Sequence, residues 1–166
     1  MKYIIDSDLY IELIRTGQYH DIIAEIYSRG TPNIYFSSVV AHELLSGVIN
    51  ETGRKSVEAV LMPFEKIGRI VTPGYTVWKE AGYILSKLRS EKPHLKSKLP
   101  QMINDALIAM SARSIGATVV TLNSSDFEAI KAVRNFLYVT VQQELFIKLK
   151  SFKSLSSSIY LTLQAL

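Results

Sequence analysis

Near its beginning the chain carries the stretch YIIDSD at residues 3–8, in which a short apolar run meets two carboxylates. The apolar run at residues 3–5 predicts a buried strand, and the polar residues follow where a strand would give way to a helix. Residues 9–14 predict that helix, which would end near Gly17. Polar groups directly after the buried strands of an α/β sheet lie at the edge where ligands bind. The stretch therefore predicts an α/β domain with Asp6 at its ligand-binding edge.

The rest of the sequence alternates between strand and helix patterns. Further strands are predicted at residues 34–36, 70–71, 118–121 and 137–139. Further helices are predicted at residues 20–28, 39–49, 54–65, 75–89 and 100–115, and in a short segment from Phe127. Because parallel neighbours need crossover helices, this alternation indicates a mainly parallel sheet. We therefore predict a three-layer α/β/α fold around a mainly parallel five-stranded sheet.

Local signals refine three of these helices. Ser37 or Ser38 is placed to cap the helix at residues 39–49. Pro100 is placed in the first turn of the helix at residues 100–115. The inward-facing positions of the helix at residues 75–89 are predicted to be Trp78, Gly82 (or Ala81), Leu85 and Leu88.

A chain of 166 residues is long enough to form a single hydrophobic core, and we place one domain at residues 1–141. Residues 142–166 are predicted to be a C-terminal extension. Leu145, Leu149 and Phe152 recur in it at helical spacing. We therefore expect the extension to be helical and to pack on the domain, or to lie in a dimer or partner interface.

The composition excludes several classes of site. The chain has no cysteines, so disulfides, thiolate nucleophiles and cysteine-based zinc sites are excluded. No apolar stretch has the length of a membrane span and no signal peptide is visible, so we expect a cytoplasmic protein without membrane contact. The formal net charge of +4 is compatible with a polyanionic partner, although many proteins without such a partner are equally basic.

Four acidic residues are predicted to converge on one edge of the sheet. Asp6 and Asp126 follow the first and fourth strands, and Glu43 lies in the first turns of the helix after the second strand. Asp105 lies inside a predicted helix among apolar neighbours, where an unpaired carboxylate is costly. No lysine or arginine stands three or four residues from Asp105 to pair with it. We therefore predict that a bound cation compensates these charges.

Each acid also has a purely structural explanation. Asp6 and Asp126 could cap the helices that follow them, and Glu43 could favour the start of a helix through the helix dipole. Asp105 could accept hydrogen bonds from a neighbouring loop. All four explanations would have to hold together, whereas two carboxylates about 5 Å apart repel by roughly 3 kcal/mol at an effective dielectric of about 20. Oxygen ligands without cysteine indicate Mg²⁺ or Mn²⁺ as the compensating ion.

At these residues the sequence resembles the PIN-domain family, and within it the VapC-type toxins of prokaryotic toxin–antitoxin pairs. The resemblance covers roughly residues 1–141. It is carried by four motifs, IIDSD at residues 4–8, VVAHEL at 39–44, NDALIA at 104–109 and VVTLNSSDF at 119–127. The order and spacing of the four motifs make the resemblance specific. It implies that the domain at residues 1–141 is a PIN-like nuclease domain.

The resemblance implies which residues form the site. The catalytic and metal-binding acids of the family map onto Asp6, Glu43 and Asp105. The fourth acidic region maps onto residues 121–126, where this chain has Asn123 at a position that is Asp in many relatives. The fourth metal ligand would then be Asp126.

Four further residues are expected to support the acids. Ser7 and Thr121 match hydroxyl positions that, by resemblance, orient the metal ligands. Asp8 adds a carboxylate at a position that is Asn in many relatives, and Asn123 stands beside the site from the fourth acidic region.

The implied activity is hydrolysis of RNA phosphodiester bonds with Mg²⁺ or Mn²⁺, leaving a 5′-phosphate and a 3′-hydroxyl. The implied partners are the RNA substrate, a small antitoxin protein, and a second copy of the chain in a homodimer. The basic loop at residues 92–98 could lead a phosphate backbone toward the metals, although a solvated run of charge explains it as well.

Two other functions stay open at this point. The chain could be a PIN nuclease that acts in RNA processing without an antitoxin, or on DNA structures. It could also be a catalytically inactive PIN-like module that binds RNA or protein. The intact set of Asp6, Glu43 and Asp105 argues against the inactive module.

Overall fold

A computed structural model of the protein describes residues 1–30 and 33–141. The strands are β1 (Lys2–Ile5), β2 (Ile34–Ser37), β3 (Ile70–Val71), β4 (Ala117–Thr121) and β5 (Leu137–Thr140). The helices are α1 (Ser7–Thr16), α2 (His20–Gly30), α3 (Ser38–Ser46), α4 (Glu51–Lys66), α5 (Tyr75–Glu91), α6 (Met102–Ser114) and α7 (Ser124–Val133), with a 3₁₀ turn at Pro93–Leu95. The extension predicted at residues 142–166 lies outside the described residues.

The five strands form one sheet in the order β3-β2-β1-β4-β5. Each neighbouring pair is parallel, so the predicted five-stranded parallel sheet is confirmed. The central strand β1 pairs through Ile4 with Tyr35 of β2 and with Val119 of β4. A central parallel strand is covered on both faces, which explains why Ile4 and the adjacent Ile5 are both buried.

The order of the strands explains the three layers. The chain moves outward from β1 through β2 to β3, and then crosses back to β4 and β5 on the other side of β1. Because such crossovers are right-handed, the helices before and after the reversal cover opposite faces of the sheet. Accordingly, α1, α3 and α4 pack together, and α5, α6 and α7 pack together. The predicted α/β/α architecture is confirmed.

The reversal also locates a ligand-binding crevice. The strands β1 and β4 are neighbours, yet the chain leaves them in opposite directions across the sheet. In open parallel sheets a crevice forms at the carboxyl ends of such a pair of strands. The residues that follow β1 and β4 therefore lie at this crevice, which we call the acidic rim because Asp6, Asp8 and Asp126 are among them.

The predicted inner face of α5 is partly wrong. Trp78 is 55% exposed and Gly82 is also exposed. The buried residues of this helix are Val77, Ala81, Ile84 and Leu88. The predicted and observed sets of buried residues are offset by one position, and the observed set, with Val77 in place of Trp78, packs against α6 and α7.

Helix ends differ from the predicted bounds where side chains cap them. Ser37 caps α3 as predicted, accepting a hydrogen bond from the N–H of Val39, but the helix ends at Ser46 and not at residue 49. Asn50 then caps α4 through the N–H of Gly53, so that helix begins three residues earlier than predicted. Within the described ranges, no helix is long and apolar enough to cross a membrane.

Candidate active site

Asp6 lies at the carboxyl end of the central strand and is 3% exposed. Its backbone N–H continues the pairing with β4 by donating to the carbonyl of Val120 at 2.9 Å. Its Oδ1 accepts the backbone N–H of Ser7 at 2.9 Å, which caps α1, and its Oδ2 accepts the hydroxyl of Thr121 at 2.7 Å. Asp6 is therefore both the predicted helix cap and a carboxylate of the acidic rim. The bond from Ser7 comes from its backbone, so the orienting role predicted for the Ser7 hydroxyl stays a prediction.

Asp8, in the first turn of α1, joins that helix to the loop after β4. Its Oδ2 accepts the backbone N–H of Leu122 at 2.7 Å and lies 3.1 Å from the hydroxyl of Thr121. Its Oδ1 accepts the N–H of Leu9 at 2.6 Å. Because both oxygens are held by the backbone, Asp8 fixes the start of α1 relative to the loop after β4. Its predicted role beside the site stays a prediction.

Glu43 reaches the rim from the second turn of α3, and one of its oxygens has no partner. Its Oε1 accepts a hydrogen bond of 2.9 Å from Nδ2 of Asn104. Its Oε2 is buried, and within the described part of the chain nothing bonds to it. A buried carboxylate oxygen without a partner is costly and calls for an explanation. A favourable interaction with the dipole of α3 does not explain the position of Glu43, because Glu43 lies beyond the first turn of that helix.

Asp105 lies in the first turn of α6, because that helix begins at Met102. The sequence predicted an interior position in a helix from Pro100, and this is wrong because residues 96–101 form a separate turn. Burial and then the negative charges of Asp126, Glu43 and Asp8 raise the pKa of Asp105 to about 7. Lys98 opposes this shift of the pKa. The carboxyl of Asp105 therefore lies within the field of the other predicted acids.

Asp126 is 6% exposed in the first turn of α7. The sequence allows Asp126 to cap a helix beginning at Phe127, but α7 begins at Ser124. The cap of α7 is Asn123, whose Oδ1 accepts the N–H of Asp126. The Asp126 carboxylate accepts hydrogen bonds from Nδ2 of Asn123 at 2.9 Å and from Nζ of Lys98. Burial alone would raise the pKa of Asp126, but these two donors outweigh it and lower the pKa.

The carboxylates next to β1 are also destabilised in their charged form. Burial is the main cause that raises the pKa of Asp6 well above its usual value, followed by the charge of Asp8 and, more weakly, that of Asp105. Burial likewise raises the pKa of Asp8, although the N–H of Leu122 opposes the shift. The charges of Asp8 and Asp105 therefore both act on the carboxyl of Asp6.

The carboxylate oxygens of the rim suit a divalent cation, but they are not arranged as a complete coordination sphere. Across residues 1–30 and 33–141, no three His, Asp or Glu side chains are arranged to hold one metal ion. The carboxylates instead accept hydrogen bonds from Thr121, Asn104, Asn123 and Lys98. A hard cation would relieve the like charges around Asp105 and would bind the Oε2 of Glu43, which has no partner in residues 1–30 and 33–141. The residues present therefore fit such an ion chemically.

Sequence reasoning missed two residues of this site. Asn104 supports Glu43 from α6, and the only signal was its position next to Asp105. Lys98 pairs with Asp126 across 28 positions of the chain, and the only signal was its place at the end of the basic loop. Helical spacing gives no indication of either contact, because each one joins two separate elements.

An apolar groove of about 250 Å³ opens beside Glu43. Its walls come from α1, α3, α4 and the loop between α3 and α4, and they include Ile11, Ile14, Val48 and Val57. Ile49 lies at its margin and is 95% exposed. A large exposed apolar side chain beside an apolar groove is typical of a surface that a partner covers.

The comparison with protein families decides the classification. The profile of the PIN domain family matches residues 3–133, which is most of the chain. The chain belongs to the PIN domain family. The predicted family is thus confirmed, and with it the class of enzyme, because PIN domains are generally nucleases. PIN nucleases also generally use divalent metals, in agreement with the oxygen-rich rim.

Solved structures with this PIN fold include toxin–antitoxin complexes. DNA-bound VapBC from Salmonella typhimurium has a TM-score of 0.63 and 22% identity, covering 84% of this chain and 98% of that one. VapBC-1 from nontypeable Haemophilus influenzae has a TM-score of 0.61 and 24% identity, with the same two coverages of 84% and 98%. FitAcB from Neisseria gonorrhoeae has a TM-score of 0.56 and 20% identity, covering 82% and 95%. At these identities the likeness establishes the fold alone. A comparison with curated protein sequences gives no match.

Proposed function

We propose that this PIN domain is a metal-dependent endoribonuclease and the toxin of a type II toxin–antitoxin pair. The observation that carries the proposal is the buried Oε2 of Glu43, which has no partner among the described residues, in a rim where the charge of Asp105 also acts on Asp6. A cation is the simplest compensation for such an arrangement. RNA is proposed as the substrate from the sequence resemblance to VapC-type toxins.

Asp6, Glu43 and Asp105 are the proposed ligands of Mg²⁺ or Mn²⁺, with Asp126 as the fourth acidic residue. Carboxylate oxygens and water are the ligands that these hard ions prefer. The chemistry that such an ion supplies is activation of water as a nucleophile and neutralisation of charge on the phosphate oxygens. Hydrolysis of this kind would leave a 5′-phosphate and a 3′-hydroxyl, and it requires no nucleophile from the protein.

The other polar residues of the rim orient the ligands in this proposal. Thr121 holds Asp6 through its hydroxyl, and Asn104 holds Glu43 through its amide. Asn123 donates to Asp126 and lies 3.4 Å from Oδ2 of Asp105. These contacts limit the rotation of the carboxylates, so little conformational entropy remains to be lost when the ion and the phosphate bind.

An antitoxin is the proposed partner, and the apolar groove beside Glu43 is its proposed binding surface. The VapBC and FitAcB complexes share the fold of this chain. Ile11, Ile14 and Val57 offer the kind of surface that receives the apolar face of a short helix. A segment seated there would lie next to Glu43 and would obstruct access of RNA to the rim.

The activity is tested with purified chain and a labelled RNA pool in Mg²⁺ or Mn²⁺, with and without EDTA. We expect cleavage that requires the ion and that is lost in Asp6→Asn and Asp105→Asn. Asp21→Asn is the matched control, because Asp21 is 81% exposed on α2 and changes the charge by the same amount. RNA that stays intact under all conditions, with the protein folded, would support the inactive binding module instead.

The toxin role is tested separately in cells. Expression of the chain should arrest growth, and Asp6→Asn should relieve the arrest. Co-expression of the protein encoded by a neighbouring gene should also relieve it and should give a complex that copurifies with the chain. Leu44 contributes to the core as well as to the groove, so Ile49→Asp is the better substitution to weaken that complex. RNA cleavage in vitro without growth arrest would favour an RNA-processing nuclease.

A further inference from the structure

Lys98 is fixed at the acidic rim by the turn that precedes α6. Its backbone N–H donates to the carbonyl of Leu95 at 2.8 Å. Its carbonyl accepts the N–H groups of Gln101 at 2.9 Å and Met102 at 3.3 Å. The next residue, Leu99, is 2% exposed and anchors the turn in the core. The side chain of Lys98 therefore starts from a defined position and does not belong to a loose run of surface charge.

The ammonium of Lys98 binds a carboxylate of the rim and not solvent alone. Its Nζ donates to Oδ1 of Asp126, whose side chain is 8% exposed, while 40% of the lysine side chain is exposed. The same positive charge partly opposes the rise in the pKa of Asp105 that burial and the neighbouring carboxylates cause. Lys98 thus acts electrostatically on two of the four acids that the sequence assigned to the metal.

The hydrogen bonds divide those four acids into two kinds. Both oxygens of Asp126 are occupied, Oδ1 by Lys98 and Ser125 and Oδ2 by Asn123. Glu43 keeps one buried oxygen without a partner within the described residues, and the bond recorded for Asp105 is a long one of 3.4 Å from Asn123. Both oxygens of Asp6 are occupied as well, but by the neutral donors Ser7 and Thr121, whereas Asp126 is paired with an ammonium. The uncompensated negative charge therefore lies on Asp6, Glu43 and Asp105, and that of Asp126 is already balanced.

We propose that Lys98 takes the place of a second divalent ion, a proposal that rests on the metal-dependent activity proposed above. Two-metal nucleases place two cations about 4 Å apart on a shared set of carboxylates. Here the ammonium occupies Asp126, and it repels any further cation that approaches this carboxylate. The site then binds one divalent ion through Asp6, Glu43 and Asp105, and Asp126 is the counter-ion of Lys98.

Counting bound Mn²⁺ tests the proposal without relying on activity. Free Mn²⁺ is titrated into the full-length chain and followed by electron paramagnetic resonance, which gives both stoichiometry and affinity. We expect one Mn²⁺ per wild-type chain and two in Lys98→Met, because the methionine keeps the length of the side chain but removes its charge. Lys98→Arg should stay at one. Lys96→Met is the control, since it removes an exposed charge of the same loop.

A second variant covers the case in which Lys98→Met does not fold. Asp126→Asn should retain the wild-type stoichiometry of one, because Asp126 is not a ligand in this proposal, with an affinity that is only several-fold weaker because Lys98 loses its counter-ion. Loss of Mn²⁺ binding in Asp126→Asn overturns the inference, as does a stoichiometry of two in the wild type or of one in folded Lys98→Met. In these three cases the nuclease proposal stands if Mn²⁺-dependent RNA cleavage persists. A wild-type chain that binds no Mn²⁺ overturns both proposals.

Discussion

The hydroxyl of Thr121, at the end of β4, donates a hydrogen bond of 2.7 Å to Oδ2 of Asp6, at the end of β1. The two residues are 115 positions apart in the chain, and both are almost completely buried. The bond links β1 and β4 at the crevice between them, where the chain reverses its direction through the sheet. One threonine therefore couples the central strand to the segment that carries Asn123 and, in the first turn of α7, Asp126.

Replacing Thr121 by Val should lower kcat/KM for RNA cleavage by roughly 10- to 100-fold, as expected when a residue that orients a metal ligand is lost. Valine keeps the shape of the side chain, but it removes the bond to Asp6 and the contact of 3.1 Å with Asp8. The measurement is cleavage of a short RNA at several Mn²⁺ concentrations.

Thr118→Val is the matched control for that substitution. Thr118 lies on the same strand and is 4% exposed, and in the described part of the chain its hydroxyl has no hydrogen-bond partner. Its replacement should leave cleavage unchanged and should preserve or raise stability, because no bond is lost. Equal activity losses in the two variants would contradict a specific role of Thr121.

Asn104→Leu should weaken both Mn²⁺ binding and cleavage. Asn104 donates to Oε1 of Glu43 at 2.9 Å, and without it the carboxylate loses its only recorded donor among the described residues. We expect losses of about 10-fold or more in affinity and in kcat/KM. Gln101→Leu is the control, because Gln101 is an exposed amide just before the same helix and makes no capping bond.

The fold could be predicted because its signals are local. Apolar strands alternate with amphipathic helices along the chain, and the right-handed crossover rule leaves few ways to arrange them. The phase of α5 was missed because Trp78 and Val77 define two stripes of similar quality, and only the packing against α6 and α7 decides between them. The start of α6 was missed because Pro100 belongs to the preceding turn.

The acids proposed for the site could be chosen from the sequence because each one follows a strand or lies on a helix that begins at the same edge. Their partners could not be predicted in the same way. Asn104 meets Glu43 across 61 positions, and Lys98 meets Asp126 across 28 positions, so both contacts depend on how the helices pack. The role of Thr121 came from the family resemblance, and the hydrogen bond to Asp6 now gives it a physical basis.

Without a divalent ion, the protein should become less stable as the pH rises from about 4 to about 7. Burial and neighbouring carboxylates raise the pKa of Asp105 from 3.8 to about 7 in the folded state, so the folded protein keeps a proton that the unfolded chain has already released. The stabilisation is complete below the lower pKa and is lost as the pH passes the higher one, with an effect on the order of a few kcal/mol. Thermal unfolding in EDTA at pH 5 and pH 8 measures it.

Asp105→Asn is the informative variant for this pH dependence. The amide cannot ionise, so the metal-free variant should be more stable than the wild type at pH 8 and should depend less on pH. The exposed Asp21→Asn changes the net charge equally and should behave as the wild type does. The assigned environment of Asp105 would be contradicted if the unfolding temperature in EDTA rose between pH 5 and pH 8 by the same amount in the wild type and in both variants.

Asn123→Asp should convert a hydrogen-bond donor of the rim into a further carboxylate. The Asn123 Oδ1 that caps α7 would be kept, whereas the bond of Nδ2 to Asp126 would be replaced by repulsion. We therefore expect the unfolding temperature of the variant in EDTA to be several degrees lower than that of the wild type, since each kcal/mol corresponds to about 2–4 °C in a chain of this size. We also expect Mn²⁺ to raise the unfolding temperature of the variant more than that of the wild type. Asn123→Ala loses the cap as well, at a cost of about 1 kcal/mol, and should show no such gain with Mn²⁺. Equal Mn²⁺-induced shifts in the two variants would mean that residue 123 does not face the ion.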